Sequence, residues 1–174
     1  MPFITNIRLQ SLFFVALAFL LYANTLGHGF VADDPVVLTQ NRLVQSGLAG
    51  IPGIFSDDSF AGYLPEGATE GLLEGGRYRP LSLACFAVLQ SVFGTKSLVF
   101  HLFSVLLYAG VCLLLYRVLL LALKPGRESS VAALMAWGAT LLFVTHPVHT
   151  EVVANIKSCD EQMALLGWLW FTHC

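Results

Sequence analysis

Two adjacent carboxylates, Asp33 and Asp34 in GFVADDPVVLTQN, are the side chains of this sequence most suited by type to acid–base work. Like charges side by side, at the edge of a low-dielectric region, can raise the pKa of one until it takes a proton from a hydroxyl. Asp34 precedes Pro35, and that order also reads as a helix N-cap with proline at the first helical position. Both readings can hold, one aspartate capping and the other facing a pocket.

Arg77 and Arg79 stand in GRYRPLS. A planar guanidinium binds phosphate oxygens in pairs, which suits a lipid-phosphate leaving group, and equally suits plain headgroup binding or snorkelling. Tyr78 between them reads as an interface anchor. A third cluster, HPVHTEVVANIKSCDE, holds His146, His149, Glu151, Asp160 and Glu161. Two histidines three apart with a nearby carboxylate raise the question of zinc, but Pro147 interrupts the helix that would align them. The alternative is a turn with its histidines near the interface, and Asp160 and Glu161 opening a helix whose positive end favours acids. Asp57 and Asp58 read as solvated loop acids, and His101 as an ionisable group inside an apolar helix. No cofactor is required by these residues, and a divalent metal is possible without support.

The elements that carry these residues are apolar. Hydrophobic residues make up 56% of the 174 and charged ones 11%, against about 25% charged in a soluble domain. The net charge of -2 removes the basic footprint of a nucleic-acid binder, so no nucleic-acid partner is expected. Such apolarity also excludes disorder. The four cysteines form no CxxC pair, which excludes a zinc ribbon.

A bilayer core needs about 20 mostly uncharged residues per helix. Four stretches are candidate spans: 9–26, 98–123, 131–145 and 162–174. The first could instead be a cleaved signal peptide, but no small-x-small cleavage site follows it. The last is short and has no stop signal, which predicts a chain cut from a longer one. Arg8, Arg117, Lys124 and Arg127 fall on one side if the spans alternate, which makes that side cytoplasmic and puts 27–97 outside. Within this loop, 81–93 is too short to span and reads as an interfacial or re-entrant helix after Pro80, while 47–76, rich in glycine, reads as irregular and mobile. The fold class is therefore all-α, a polytopic transmembrane helical bundle with an outer loop containing an interfacial helix.

The order of FVADDPVVLTQN, GLAGIPGIF, RYRPLS, FGTKSLVFHLFSVLLY and HPVHTEVVANIKSCDEQMALL resembles the amino-terminal membrane region of the tetratricopeptide-repeat O-mannosyltransferase-like family. The resemblance covers nearly the whole chain. It implies a GT-C type glycosyltransferase in a bacterial inner membrane or an endoplasmic reticulum membrane. Such an enzyme moves a sugar, mannose being one candidate, from a polyprenyl or dolichyl phosphate carrier to a protein hydroxyl.

The family's first-loop acids fall on Asp33 and Asp34, with Asp33 favoured as the base. Arg79 matches its RP motif and would meet the donor phosphate or hold the loop. The second-loop motif falls on His146, His149, Glu151, Asp160 and Glu161, but Lys157-Ser158-Cys159 stands where the family has an arginine. The later spans and carboxyl-terminal repeats are absent, so the fragment alone is expected to be inactive. Two other readings compete: a transporter or channel subunit, and a noncatalytic membrane anchor for a repeat scaffold.

Overall fold

The computed structural model describes residues 6–31, 33–65, 78–125 and 128–174, and among these every regular element is helical. Helix α1 (Ile7–Tyr22) starts where Asn6 accepts hydrogen bonds from the amides of Arg8 and Leu9, at 3.1 and 3.3 Å. A 3-10 turn, Ala23–Gly27, extends it into an apolar rod of 21 residues. After the short helices α2 (Asp34–Val37), α3 (Arg42–Gln45) and α4 (Ile51–Ser56) come α5 (Pro80–Phe93) and the 27-residue α6 (Ser97–Leu123). Then follow α7 (Ser129–Thr145), α8 (His149–Ala154), a 3-10 turn Ile156–Ser158, and α9 (Cys159–His173). The rod Ile7–Gly27 and α6 are long and apolar enough to cross a membrane. At 1.5 Å per residue α6 is about 40 Å long and α7 only about 25 Å.

Helix α6 is the axis on which α1, α7 and α9 pack. Small residues let the backbones approach: Ala18, Ala109, Ala132 and Ala136 are all buried, and a Cβ on Gly110 would stand 3.3 Å from Leu166 Cδ1. Around them Phe14, Tyr22, Val105, Tyr108, Cys112 and Tyr116 form one apolar core. Polar links fix the directions of the helices. Gln10 near the start of α1 bonds Tyr116 near the end of α6, and Tyr108 donates to Val144 O at 3.1 Å. Ser104 donates to Val153 O at 2.8 Å and accepts from Gln162 at 2.8 Å. Hence α1 and α7 run antiparallel to α6 while α9, with Gln162 beside Ser104 and Leu166 beside Gly110, runs parallel to it, and the loops 28–96 and 146–158 emerge at one end.

There a second core forms from Val37, Leu38, Val44, Ile54, Leu83, Phe86, Phe100 and Ile156. Helix α5 begins at Pro80, whose missing N–H costs nothing in the first turn, and ends at Gly94 with φ +69°. Ser82, Leu83, Phe86 and Ala87 face this core, while Leu81, Val88 and Val92 point outward.

The expectation of an irregular, mobile stretch from 47 is corrected for its first part. Gly47–Gly50 and α4 are helical turns packed on α5, and residues 66–77 lie outside the description. The glycines there serve close approach. A Cβ on Gly47, at φ +63°, would lie 2.2 Å from Ser91 Oγ, and one on Gly50 would lie 1.9 Å from Leu43 O.

Candidate functional site

The two acids of the first loop part company. Asp33 takes the N-cap position of α2 but makes no cap bond; its carboxylate, mostly solvent-exposed, meets Lys157 Nζ at 2.5 Å. Asp34 has no exposed surface. Its Oδ2 accepts from Val31 N and its Oδ1 from Lys157 N, each at 3.1 Å. The capping reading of Asp34 is thus corrected, because both oxygens are committed to amides outside the helix it opens. Burial raises its pKa above the usual 3.8, against the pull of the amides of Val31, Lys157 and Ile156 and of nearby His101. Desolvation rather than the neighbouring like charge is the cause.

Arg79 stands in the N-cap position of α5, anchored by Ser59 Oγ, which accepts from its amide at 2.9 Å. Its guanidinium pairs with Asp160 in the first turn of α9. Asp160 also accepts from Glu161 N at 2.8 Å. Beside this pair a cleft of about 450 Å³ opens between Tyr78–Ser82 and Asp160–Ala164. A small cavity on the other side of Arg79 and Asp160 is walled by Lys157 and Phe86. The charges alternate in a row, Asp33, Lys157, Asp160 and Arg79, of which Arg79 and Asp160 line the larger cleft, Lys157 joins them around the small cavity, and Asp33 stands outside both. Such a row can hold a carboxylate ready for a proton beside cations ready for a phosphate. Arg77 lies outside the described residues.

The histidines sit elsewhere. His149 packs against Phe143, ring centroids 4.2 Å apart, and against Tyr108 at 5.6 Å. Burial, then the nearby His146, lowers its pKa from 6.5. His146 faces it at 6.1 Å and accepts from Val148 N at 3.2 Å. Glu151 is exposed in the first turn of α8. Among the described residues no three His, Cys, Asp or Glu side chains are grouped to hold a metal ion. His149 and Glu161 share instead the wall of a separate cavity of about 260 Å³, with Tyr108 and Gln162.

With this geometry in hand, the sequence can be set beside known proteins. It is 35% identical over 166 residues to Protein O-mannosyl-transferase Tmtc2 of Drosophila melanogaster, matching 95% of this chain and 16% of that one. Against Protein O-mannosyl-transferase Tmtc1 of the same fly it is 35% identical over 81% of this chain and 15% of the relative. Against Protein O-mannosyl-transferase TMTC2 of Mus musculus the identity is 33%, over 91% and 18%. The chain is TMTC-like. It spans less than a fifth of the length of these relatives, so their printed activity describes much longer proteins. No family model and no solved structure matches it.

Several residues organise the site of this TMTC-like chain beyond the candidates that type and spacing assigned to it. Lys157 reads as a departure from an arginine, yet it grips both aspartates, one by its amide and one by its ammonium. Its positive charge, beside the acids of the second-loop cluster, was the available signal. Asn41, fully buried, caps α3 by accepting from Leu43 N and Val44 N and donates to Val36 O and Ser59 O. An Asn before an apolar turn is a cap signal that could have been read. His101, also buried, reaches Gly29 O with Nε2 at 3.3 Å and so tethers the first loop to α6. Asp58, expected to be merely solvated, accepts from Phe60 N at 2.8 Å and shapes a turn. Cys159 is buried in the second core.

Proposed function

We propose that this chain forms part of a multi-pass membrane glycosyltransferase of GT-C type, which moves a sugar from a lipid-phosphate carrier to a hydroxyl of a protein. The relatives' printed names supply the sugar, mannose, and the protein acceptor. In this reading α1, α6, α7 and α9 lie in the bilayer and the charged row stands at its noncytoplasmic edge. The observation that carries it is the joining of the first loop to the second through Asp33–Lys157 and Arg79–Asp160 beside a recess. Polar charge on one side and apolar wall on the other match a donor with a charged head and a hydrocarbon tail.

Of the two acids, Asp33 is the base, because it alone is exposed and its partner is a side chain that can move. Asp34 is a positioning residue, buried and holding the 156–158 turn. The acceptor hydroxyl gives its proton to the Asp33 carboxylate as its oxygen bonds the anomeric carbon. The bond from that carbon to the lipid phosphate breaks, and the phosphate leaves with the electron pair, stabilised by Arg79 and Lys157. Arg77, His146, His149, Glu151, Asp160 and Glu161 are assigned to holding donor or acceptor, His149 and Glu161 from the cavity they share.

The test uses the full-length protein in lipid with labelled polyprenyl-phosphate mannose and an acceptor protein. Asp33→Asn abolishes transfer while the protein elutes and melts as the parent does; turnover within about tenfold of the parent refutes the assignment of the base. Arg79→Gln raises KM for the donor and leaves the acceptor KM unchanged. Labelling of a cysteine placed at exposed Val31 from the cytosolic side alone refutes the topology.

A further inference from the structure

We propose that the opposite end of the bundle, where α1 begins and α6 ends, binds the phosphate headgroup of an anionic lipid. A cleft of about 300 Å³ opens there, lined by Arg8, Ser11, Arg117, Lys124 and His173. Among the described residues no carboxylate lines it, and neither ion pair found there involves these cations. A concentration of positive charge without a counter-ion is held apart only at an electrostatic cost that a bound anion removes.

A second observation is independent of charge. Ser11 is 8% exposed, yet its Oγ has no hydrogen-bond partner, and the same is true of Nδ1 of His173. Both belong to residues of the same cleft. Buried polar atoms are nearly always satisfied, so two orphans lining one basic recess mark the place of a ligand oxygen. Phosphate supplies what the lining lacks: several acceptor oxygens for guanidinium and ammonium groups.

The remaining walls select the kind of phosphate. Ile7, Leu120 and Leu121 line the cleft, and Ile7, Leu9, Leu12 and Leu121 are exposed on the helices that lead away from it. Both helices belong to elements of spanning length. A headgroup in the cleft would therefore carry its acyl chains along an apolar helix surface, whereas a soluble phosphate would leave that surface bare. The inference needs the helices to lie in a bilayer but needs no transferase activity.

The probe is the full-length protein in nanodiscs of phosphatidylcholine alone or with phosphatidylserine, with retained lipid read by native mass spectrometry after detergent exchange. Preferential retention of phosphatidylserine is expected. Replacing Arg8, Arg117 or Lys124 with Gln should weaken it about fivefold for each cation removed. Arg117→Lys, which keeps the charge, should largely restore it and guards against a general folding defect. Ser11→Ala should weaken retention without altering its salt dependence. Displacement of the lipid by inorganic phosphate at constant ionic strength would keep the anion site and reassign its source to soluble phosphate. Equal retention of both lipids by the parent protein, or undiminished selectivity in the triple Gln variant, overturns the proposal. Loss of transfer activity has no bearing on either result.

Discussion

The bundle and the lobe at its end are held by different means. In the bundle, helices of 15 to 27 residues satisfy their own backbones, and association depends on small buried alanines and interlocking aromatic rings. In the lobe, α2 and α3 are four residues long and α4 is six, too short to satisfy much of their own backbone. Side chains supply the rest: Asn41 serves four backbone groups, and Arg42 reaches the carbonyls of Ala61, Gly62 and Leu64. Volume governs one region and hydrogen-bond satisfaction the other. The proposed reactive residues sit on the seam between them.

The sharpest way to break this contrast is Asn41→Ala. It strips two amides of their cap and two carbonyls of their donor, and should destabilise the lobe by about 2–4 kcal/mol. Hydrogen exchange should rise across 34–65 while α6 and α7 keep their protection; uniform loosening of both regions would show that the division is wrong.

Next in size is Ala136→Phe, in the fully buried strip of α7. Overpacking there should cost about 1–3 kcal/mol and lower the bundle's melting temperature in detergent. Proteolysis of the lobe at temperatures below that melt should be unaffected.

The smallest effect is a pH response of opposite sign on the two sides of the seam. Asp34 has a raised pKa, so the folded protein binds its proton more readily than the unfolded chain does. Its contribution to stability is greatest at low pH and falls as pH climbs from 3.8 through the raised value. His149, with its pKa lowered from 6.5, contributes fully above that value, and the contribution is lost as pH falls through the depressed one. Lowering the pH toward 3.8 should therefore favour the amides around 31 and 157, and lowering it through the range below 6.5 should loosen those of α8, with exchange corrected for its intrinsic rate. Asp34→Asn should flatten the first trend and His149→Phe the second. Parallel movement of both segments in the parent would contradict the assignment.

Much of the architecture was readable from the sequence, for a physical reason. An uncharged run has few soluble alternatives, so the helices at Ile7–Tyr22 and Ser97–Leu123 announce themselves, and Pro80 marks the start of the next apolar helix. Of the short helices between 34 and 56, only the start of the first was readable, from Asp34-Pro35. Helices of four to six residues cannot nucleate alone and exist only because α5 and buried side chains hold them. Glycine was misread there as freedom, whereas Gly47 and Gly50 mark contact too close for a side chain.

The proposed site divides in the same way. The candidate acids and Arg79 stand out by type, and their roles rest on experiment. Which acid meets which cation was hidden, because Arg79 and Asp160 are 81 positions apart and Asp33 and Lys157 are 124. Only the helix packing closes those distances.

One residue, Lys157, holds Asp34 through its main chain and Asp33 through its side chain. The two holds are separable at a single codon. A neutral residue there removes the Asp33 ion pair while the amide bond to Asp34 stays, whereas proline, lacking an amide hydrogen, removes that bond as well. Charge and anchorage at this junction can thus be edited one at a time.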